Sequence, residues 1–205
     1  MILRPYQLEC CNAVLREFDT VDSTLYVCPT GTGKTQIFTE IIRHFAEKGR
    51  VMVLAHRLEL IEQAARQIER AGLGRPGIEM GDRWADDSPL LREQPRVVVS
   101  SVQTQVADSR GGGRMLRFRP KDFSLLVIDE AHHAPAASYK KIIAHYRKNP
   151  RLKLLGCTAT PDRADEEALG QICESVAFEY GLEDAIKDGW LVPIQQRLIY
   201  VKGLD

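Results

Sequence analysis

The chain has 205 residues, 44% hydrophobic and 27% charged, with 28 basic against 28 acidic side chains, which is ordinary for a soluble globular protein and long enough for one buried core. No apolar run approaches the ~20 residues of a membrane span, and Met1-Ile2-Leu3-Arg4 does not begin a signal peptide. Zero formal charge excludes nucleic-acid binding by bulk charge and leaves only a local groove for it. Five cysteines (Cys10, Cys11, Cys28, Cys157, Cys173) are odd in number and without framework spacing, and Cys28 and Cys157 at strand ends suit small buried thiols in a reducing cytoplasm.

In chain order, a helix is predicted after Pro5, with Leu8, Cys11, Leu15 and Phe18 on one face. The apolar run Leu25-Tyr26-Val27-Cys28 reads as a strand, and Ile37, Phe38, Ile41, Ile42 and Phe45 share one face of a following helix. Between them lies Pro29-Thr30-Gly31-Thr32-Gly33-Lys34-Thr35. Strand, glycine-rich loop and helix together are the context of a phosphate-binding P-loop. Glycines let successive N–H groups converge on phosphate oxygens, and the helix N-terminus adds a favourable dipole. Lys34 would supply a point charge to the β- and γ-phosphates, and Thr35 a hydroxyl to Mg²⁺. Cys28 stands where the strict G-x-x-x-x-G-K-T pattern has its first glycine. The bland alternative is a helix start that happens to carry Gly33-Lys34-Thr35.

A strand at Val51-Met52-Val53-Leu54 precedes a helix with Leu58, Ile61, Ala65 and Ile68 on one face. Residues 72–95, broken by glycine and proline, hold at most one short strand. Another strand follows at Arg96-Val97-Val98-Val99. The basic stretch from Arg110 to Lys121 is either a phosphate-contacting loop or a solvated connection ending in a short helix. Leu125-Leu126-Val127-Ile128 then reads as a buried parallel strand whose end presents Asp129 and Glu130 to a crevice. Asp129 is placed to hold Mg²⁺ opposite Thr35, and Glu130 to orient or deprotonate an attacking water. Alone, the pair could be an ordinary solvated turn. His132 and His133 lack the partners of a tetrahedral metal site, with no H-E-x-x-H and no C-x-x-C. A helix with Tyr139, Ile142, Ile143 and Tyr146 on its buried face comes next, then a strand at Leu152 to Gly156.

In this order the motifs resemble superfamily 2 nucleic-acid helicases and translocases with a DEAH box. The resemblance is nearest the branch of type III restriction motor subunits and relatives of the transcription factor IIH repair helicase. Leu3-Arg4-Pro5-Tyr6-Gln7 looks like the adenine-reading Q-type motif, Pro29 to Thr35 like motif I, and Leu54 to Leu60 like motif Ia. Ser100 to Thr104 resembles motif Ic, Asp129 to His132 motif II, and Thr158-Ala159-Thr160-Pro161 motif III. The resemblance implies a RecA-like P-loop NTPase domain, α/β, with a mostly parallel central sheet and helices on both faces. Strands alternating with helices through the chain point the same way.

It also implies ATP and Mg²⁺ as ligands, with Lys34, Asp129, Glu130 and His132 as catalytic residues. Gln7 would read an adenine edge with both amide groups, and Arg4 would stack near the base or remain a surface charge. His56 and Arg57 would meet a nucleic-acid phosphate. Ser101, Gln103 and Thr104 would bond to its backbone, although Gln103 could equally be a loop-stabilising amide. Thr158 and Thr160 would contact His132 and relay the nucleotide state, or simply cap a turn.

The tail reads as an acidic helix start at Asp162 to Glu167, a strand at Val176 to Tyr180, a helix at Leu182 to Lys187, a Gly189-Trp190 turn and a strand near Ile194 to Val201. The division expected is residues 1–180 as the first RecA-like domain and 181–205 as an exit toward a second one, whose arginine fingers the family uses. The start at Met1 suggests no accessory domain upstream. The expected partners are nucleic acid, with DNA favoured over RNA, and that second domain, with no membrane. Alternatives are a non-catalytic nucleotide-gated binding module and the motor subunit of a restriction–modification system.

Overall fold

The computed structural model describes residues 2–85, 94–107, 113–159 and 169–193. Its strands are β1 (Ser23–Val27), β2 (Arg50–Ala55), β3 (Gly77–Glu79), β4 (Val97–Ser101), β5 (Phe123–Asp129), β6 (Lys153–Thr158) and β7 (Ser175–Glu179). The helices are α1 (Pro5–Glu17), α2 (Lys34–Ala46), α3 (Leu58–Arg70), α4 (Val102–Val106), α5 (Ala137–Tyr146) and α6 (Leu182–Lys187). The strands form one sheet in the order β3-β4-β2-β5-β6-β1-β7, and every neighbouring pair is parallel. This is the α/β architecture with a parallel sheet that the alternating pattern predicts.

Burial on both faces explains why these strands read as continuous apolar runs. Side chains alternate across a strand, so Tyr26, Val53, Val127 and Leu155 pack into one core while Val27, Leu54, Ile128 and Leu154 pack into the other. The first core is covered by α1, α2 and α3, the second by α5 and the short helices around it. Helices therefore lie on both faces.

Two helices turn differently from their predicted stripes. In α1 the buried residues are Tyr6, Gln7, Cys10, Cys11 and Val14, and Leu8 is 53% exposed. The cause is polar: Tyr6 Oη and Gln7 Nε2 donate to the carbonyl of Thr32 at 2.6 and 2.9 Å, which rotates that side of the helix inward. In α3, Ile61, Ala65 and Ile68 are buried as predicted, but Leu58 is 50% exposed at the first turn. The α5 stripe is buried throughout. Among the described residues of 72–95, where at most one short strand is expected, the strand is β3.

The predicted exit segment starts on packed structure. Ala185 of α6 is fully buried, Leu191 packs against the first core, and Tyr180 stacks on Tyr6 with centroids 4.3 Å apart. The segment from Tyr180 to Leu191 thus packs against the rest of the domain, while Val192 is exposed. The strand expected near Ile194 to Val201 and the acidic helix start at Asp162 lie outside the described residues.

Candidate nucleotide site and its coupling residues

Parallel register brings the functional segments to one end of the sheet. Val27 pairs with Thr158 across β1 and β6, and Asp129 with Cys157 across β5 and β6. The loop after β1, the acids after β5 and the threonine ending β6 therefore meet at the C-terminal edge, where open α/β sheets bind ligands.

Within the loop, Pro29 is buried and Thr30 is exposed. Thr32 is buried, and its backbone N–H and hydroxyl both donate to Pro29 O, at 3.3 and 2.6 Å. Gly31 and Gly33 have φ of +89° and +83°, and Gly33 is the N-cap of α2. These left-handed turns curl the loop so that the first N–H groups of α2 face its hollow, free of intrahelical partners. A cavity of about 220 Å³ opens there beside Arg4, Gln7, Gly33 and Thr35. Tyr26 Oη donates to Lys34 O at 2.8 Å and Thr39 Oγ1 to Thr35 O at 2.6 Å, which fixes the first turn of α2 from below.

Gln7 is fully buried. Its amide oxygen accepts from Arg4 N at 2.9 Å, and its amine donates to Thr32 O and to Gln36 Oε1 at 3.1 Å. Both amide hydrogens of Gln7 are thus engaged within the chain. Gln7 donates to the Thr32 carbonyl and so braces the glycine loop, and its amide oxygen keeps one lone pair free of the Arg4 bond.

Glu130 follows β5 with φ +52° and ψ +57°, a left-handed conformation that no other non-glycine residue adopts among the described residues. The turn aims its carboxylate between two other site residues. Lys34 Nζ lies 3.8 Å from Glu130 Oε1, and His132 Nδ1 lies 3.5 Å from Glu130 Oε2. His132 Nδ1 is also 3.1 Å from Thr158 Oγ1, joining the acids to the end of β6. Thr160 lies outside the described residues.

Asp129 is 7% exposed, with Cys157 Sγ donating to its Oδ1 at 3.2 Å and Glu130 N at 3.0 Å. Burial raises its carboxyl above the usual aspartate value, opposed by the Cys157 hydrogen bond and reinforced by the Glu130 charge. A desolvated carboxylate of this kind gains most from a nearby cation, so the donor set fits Mg²⁺ shared with Thr35. Among the described residues no cluster of three or more His, Cys, Asp or Glu forms a protein-only metal cage.

The expected nucleic-acid residues divide into two sets. Arg57 is exposed at the N-cap of α3. His56, beside it, stands 4.8 Å from His133, whose ring is 4.1 Å from His132. Partial burial, with His132 and His56 adding to it, holds His133 below the usual histidine value. Gln103 is exposed on α4. Ser101 and Thr104 are buried, with Ser101 Oγ donating to Thr104 Oγ1 at 2.7 Å and accepting from Thr104 N at 3.1 Å. Ser101 thus caps α4, and the Thr104 oxygen accepts from it.

The basic stretch also turns inward at its start. Arg114 reaches buried Glu79 at 3.2 Å and lies 3.5 Å over the Trp84 ring. Tyr6, Cys157 and Trp84 have no site role of their own in the sequence pattern, yet each touches a residue described above. Cys157 could have been found from the strand register alone, because it aligns with Asp129.

The family described as "Type III restriction enzyme, res subunit" matches residues 1–163, and the chain belongs to that family. The putative mitochondrial ATP-dependent helicase irc3 of Schizosaccharomyces pombe is 32% identical over 98% of this chain and 32% of its own length. The DNA 3'-5' translocase XPB2 of Sulfurisphaera tokodaii is 32% identical over 80% of this chain and 32% of its own length. The Hef helicase domain of Pyrococcus furiosus superposes with a TM-score of 0.66 at 25% identity, covering 91% of this chain and 42% of that one. The fold is therefore RecA-like, and the chain spans about a third of the length of these curated relatives.

Proposed function

We propose that this chain is the first motor domain of a DEAH-type helicase or translocase that couples ATP hydrolysis to movement on nucleic acid, with DNA favoured over RNA. The observation that carries this reading is the contact path Lys34–Glu130–His132–Thr158, which joins the phosphate loop to the acids and to the end of β6. The family's ATP-dependent relatives and the fold support it.

Lys34 holds the terminal phosphates and is drawn away from Glu130 as it does so. Glu130, released from that cation, accepts a proton from the water that attacks the γ-phosphorus. Mg²⁺ held by Asp129 and Thr35 would neutralise charge building on the phosphate oxygens. His132 carries the change at Glu130 to Thr158, and through His133 toward His56 and Arg57, where a nucleic-acid phosphate is gripped. Completion of the site by a second RecA-like domain of the same polypeptide is part of this proposal, as is a reducing cytoplasm, supported by five buried free thiols. No described helix is long and apolar enough to cross a membrane.

A second reading, the motor subunit of a restriction–modification enzyme, is favoured by the family's description. It is also favoured by likeness in fold to the Type ISP enzyme LlaGI, at a TM-score of 0.65 and 20% identity over 93% of this chain and 21% of that one. Nuclease or methyltransferase motifs in the longer polypeptide would decide for it.

Calorimetric titration of Mg·ATP into the chain tests the first step. Wild type and Glu130→Gln should bind alike, and Lys34→Ala should not bind. Undiminished binding by Lys34→Ala would remove the phosphate-loop assignment. Turnover retained by Glu130→Gln in the two-domain protein would remove the base.

A further inference from the structure

Next to the phosphate loop, on the side away from the acids, a half-exposed indole meets a guanidinium. Trp190 is 39% exposed, and the Arg4 guanidinium carbon lies 4.4 Å from the centre of its ring. The pair is built in rather than left at a loose end. Trp190 N and Leu191 N both donate to Ala185 O, at 2.9 and 3.0 Å, and Gly189 turns the chain with φ +75°. Arg4 is held in turn, donating from Nη1 to Tyr6 Oη at 3.3 Å, while Tyr6 donates to Thr32 O within the loop.

The neighbouring residue fixes where this pair stands relative to the phosphates. Leu191 lies against the loop so closely that a Cβ on Gly31 would come within 3.2 Å of its Cδ2. Arg4 itself lines the loop's cavity with Gly31, Gly33 and Thr35. A nucleotide whose phosphates follow the loop would carry its base outward past Arg4. A guanidinium fixed in plane by an indole offers a flat, cationic face, which suits the π-face of a purine.

Resting on the phosphate-loop reading above, we propose that Trp190 is a positioning and specificity residue for the nucleotide base: it sets the plane of Arg4, and the Arg4–Trp190 pair receives the purine ring. Base affinity then comes from residues near both ends of the domain, with Gln7 left chiefly to brace the loop.

The test separates base from phosphate on the chain itself, in a Trp84→Phe background so that Trp190 is the only indole. Mg·ATP and Mg-tripolyphosphate are titrated by calorimetry, with Trp190 emission followed in parallel. ATP should change the emission saturably and tripolyphosphate should not. Trp190→Ala should weaken ATP about ten-fold, as expected when Arg4 loses its cation–π partner, and leave tripolyphosphate within about two-fold. Trp190→Phe, which keeps a ring, should restore most of the ATP affinity. An ATP to tripolyphosphate affinity ratio unmoved by Trp190→Ala overturns the proposal, as does an equal loss for both ligands. Lys34→Ala reports on the phosphate site independently, because it should abolish both ligands. Failure of wild type to bind either ligand would overturn the phosphate-loop reading and this inference with it.

Discussion

Gly33→Ala probes the contact between α1 and the phosphate loop. Gly33 has φ +83° and ψ +40°, and the left-handed region costs an alanine about 1–2 kcal/mol. The added Cβ would also stand 2.7 Å from Gln7 Nε2, closer than side chains tolerate. Gln7 must then swing away and release its 2.9 Å bond to Thr32 O, leaving a buried carbonyl short of a donor at roughly 1–3 kcal/mol. Tyr6 Oη still donates to that carbonyl, so the lower part of this range applies. The sum is about 2–4 kcal/mol, equivalent to about 0.7–2 M in the urea midpoint at a slope of about 2–3 kcal/mol per M. Urea unfolding followed by far-ultraviolet circular dichroism measures it on wild type, Gly33→Ala, Gln7→Ala and the double variant. With Gln7 already removed, Gly33→Ala should cost only its backbone term, about 1–2 kcal/mol. Equal costs in the two backgrounds would show that Gln7 does not press on the loop. A cost below about 1 kcal/mol with Gln7 present would refute both contributions.

Two other substitutions test the buried charges. The Asp129 carboxyl is raised by burial, so its folded form keeps a proton to higher pH than its unfolded form. Its contribution to stability is therefore full below the ordinary value of 3.8 and is lost as pH rises through the folded value. Asp129→Asn, which keeps an oxygen acceptor for Cys157, should raise Tm at pH 7 without magnesium, by about 2–4 °C per kcal/mol gained, and the gain should shrink toward pH 4. A Tm below wild type across that range would count against the desolvation argument. Glu79→Ala should cost about 1–3 kcal/mol, because it strands the buried N–H of Ala85 that Glu79 accepts at 2.8 Å and removes one partner of half-buried Arg114. Urea unfolding indistinguishable from wild type would show the pair to be incidental.

The motifs legible in the sequence are those whose determinants are local. Leu25 to Thr35 carries strand, glycine loop and helix in consecutive residues, and Leu125 to Glu130 carries a buried strand and its acids. Residues whose behaviour depends on distant partners were not legible. Leu8 reads as core by spacing, yet α1 turns about its tether to Thr32, a polar contact across 25 positions. Ser101 and Thr104 read from sequence as two independent hydroxyls, but the turn into α4 bonds one to the other. Trp190 reads from sequence only as part of a glycine turn, and the packing of α6 and Leu191 brings it to Arg4. Glu79 and Arg114 find each other across a segment with little periodicity.

The position of β1 has a consequence for synthesis. Its two neighbours in the sheet are β6 and β7, so the strand that carries the phosphate loop pairs with residues made more than a hundred positions later. At ~5–20 residues per second, Leu25, Tyr26 and Val27 wait roughly 6–25 s on the ribosome before Lys153 to Thr158 even exist. Until then they form an apolar strand with both edges unsatisfied, able to pair with another nascent chain. The nucleotide pocket is thus among the first parts of this domain to be translated and the last to be assembled, which makes its early strand a natural client for chaperones.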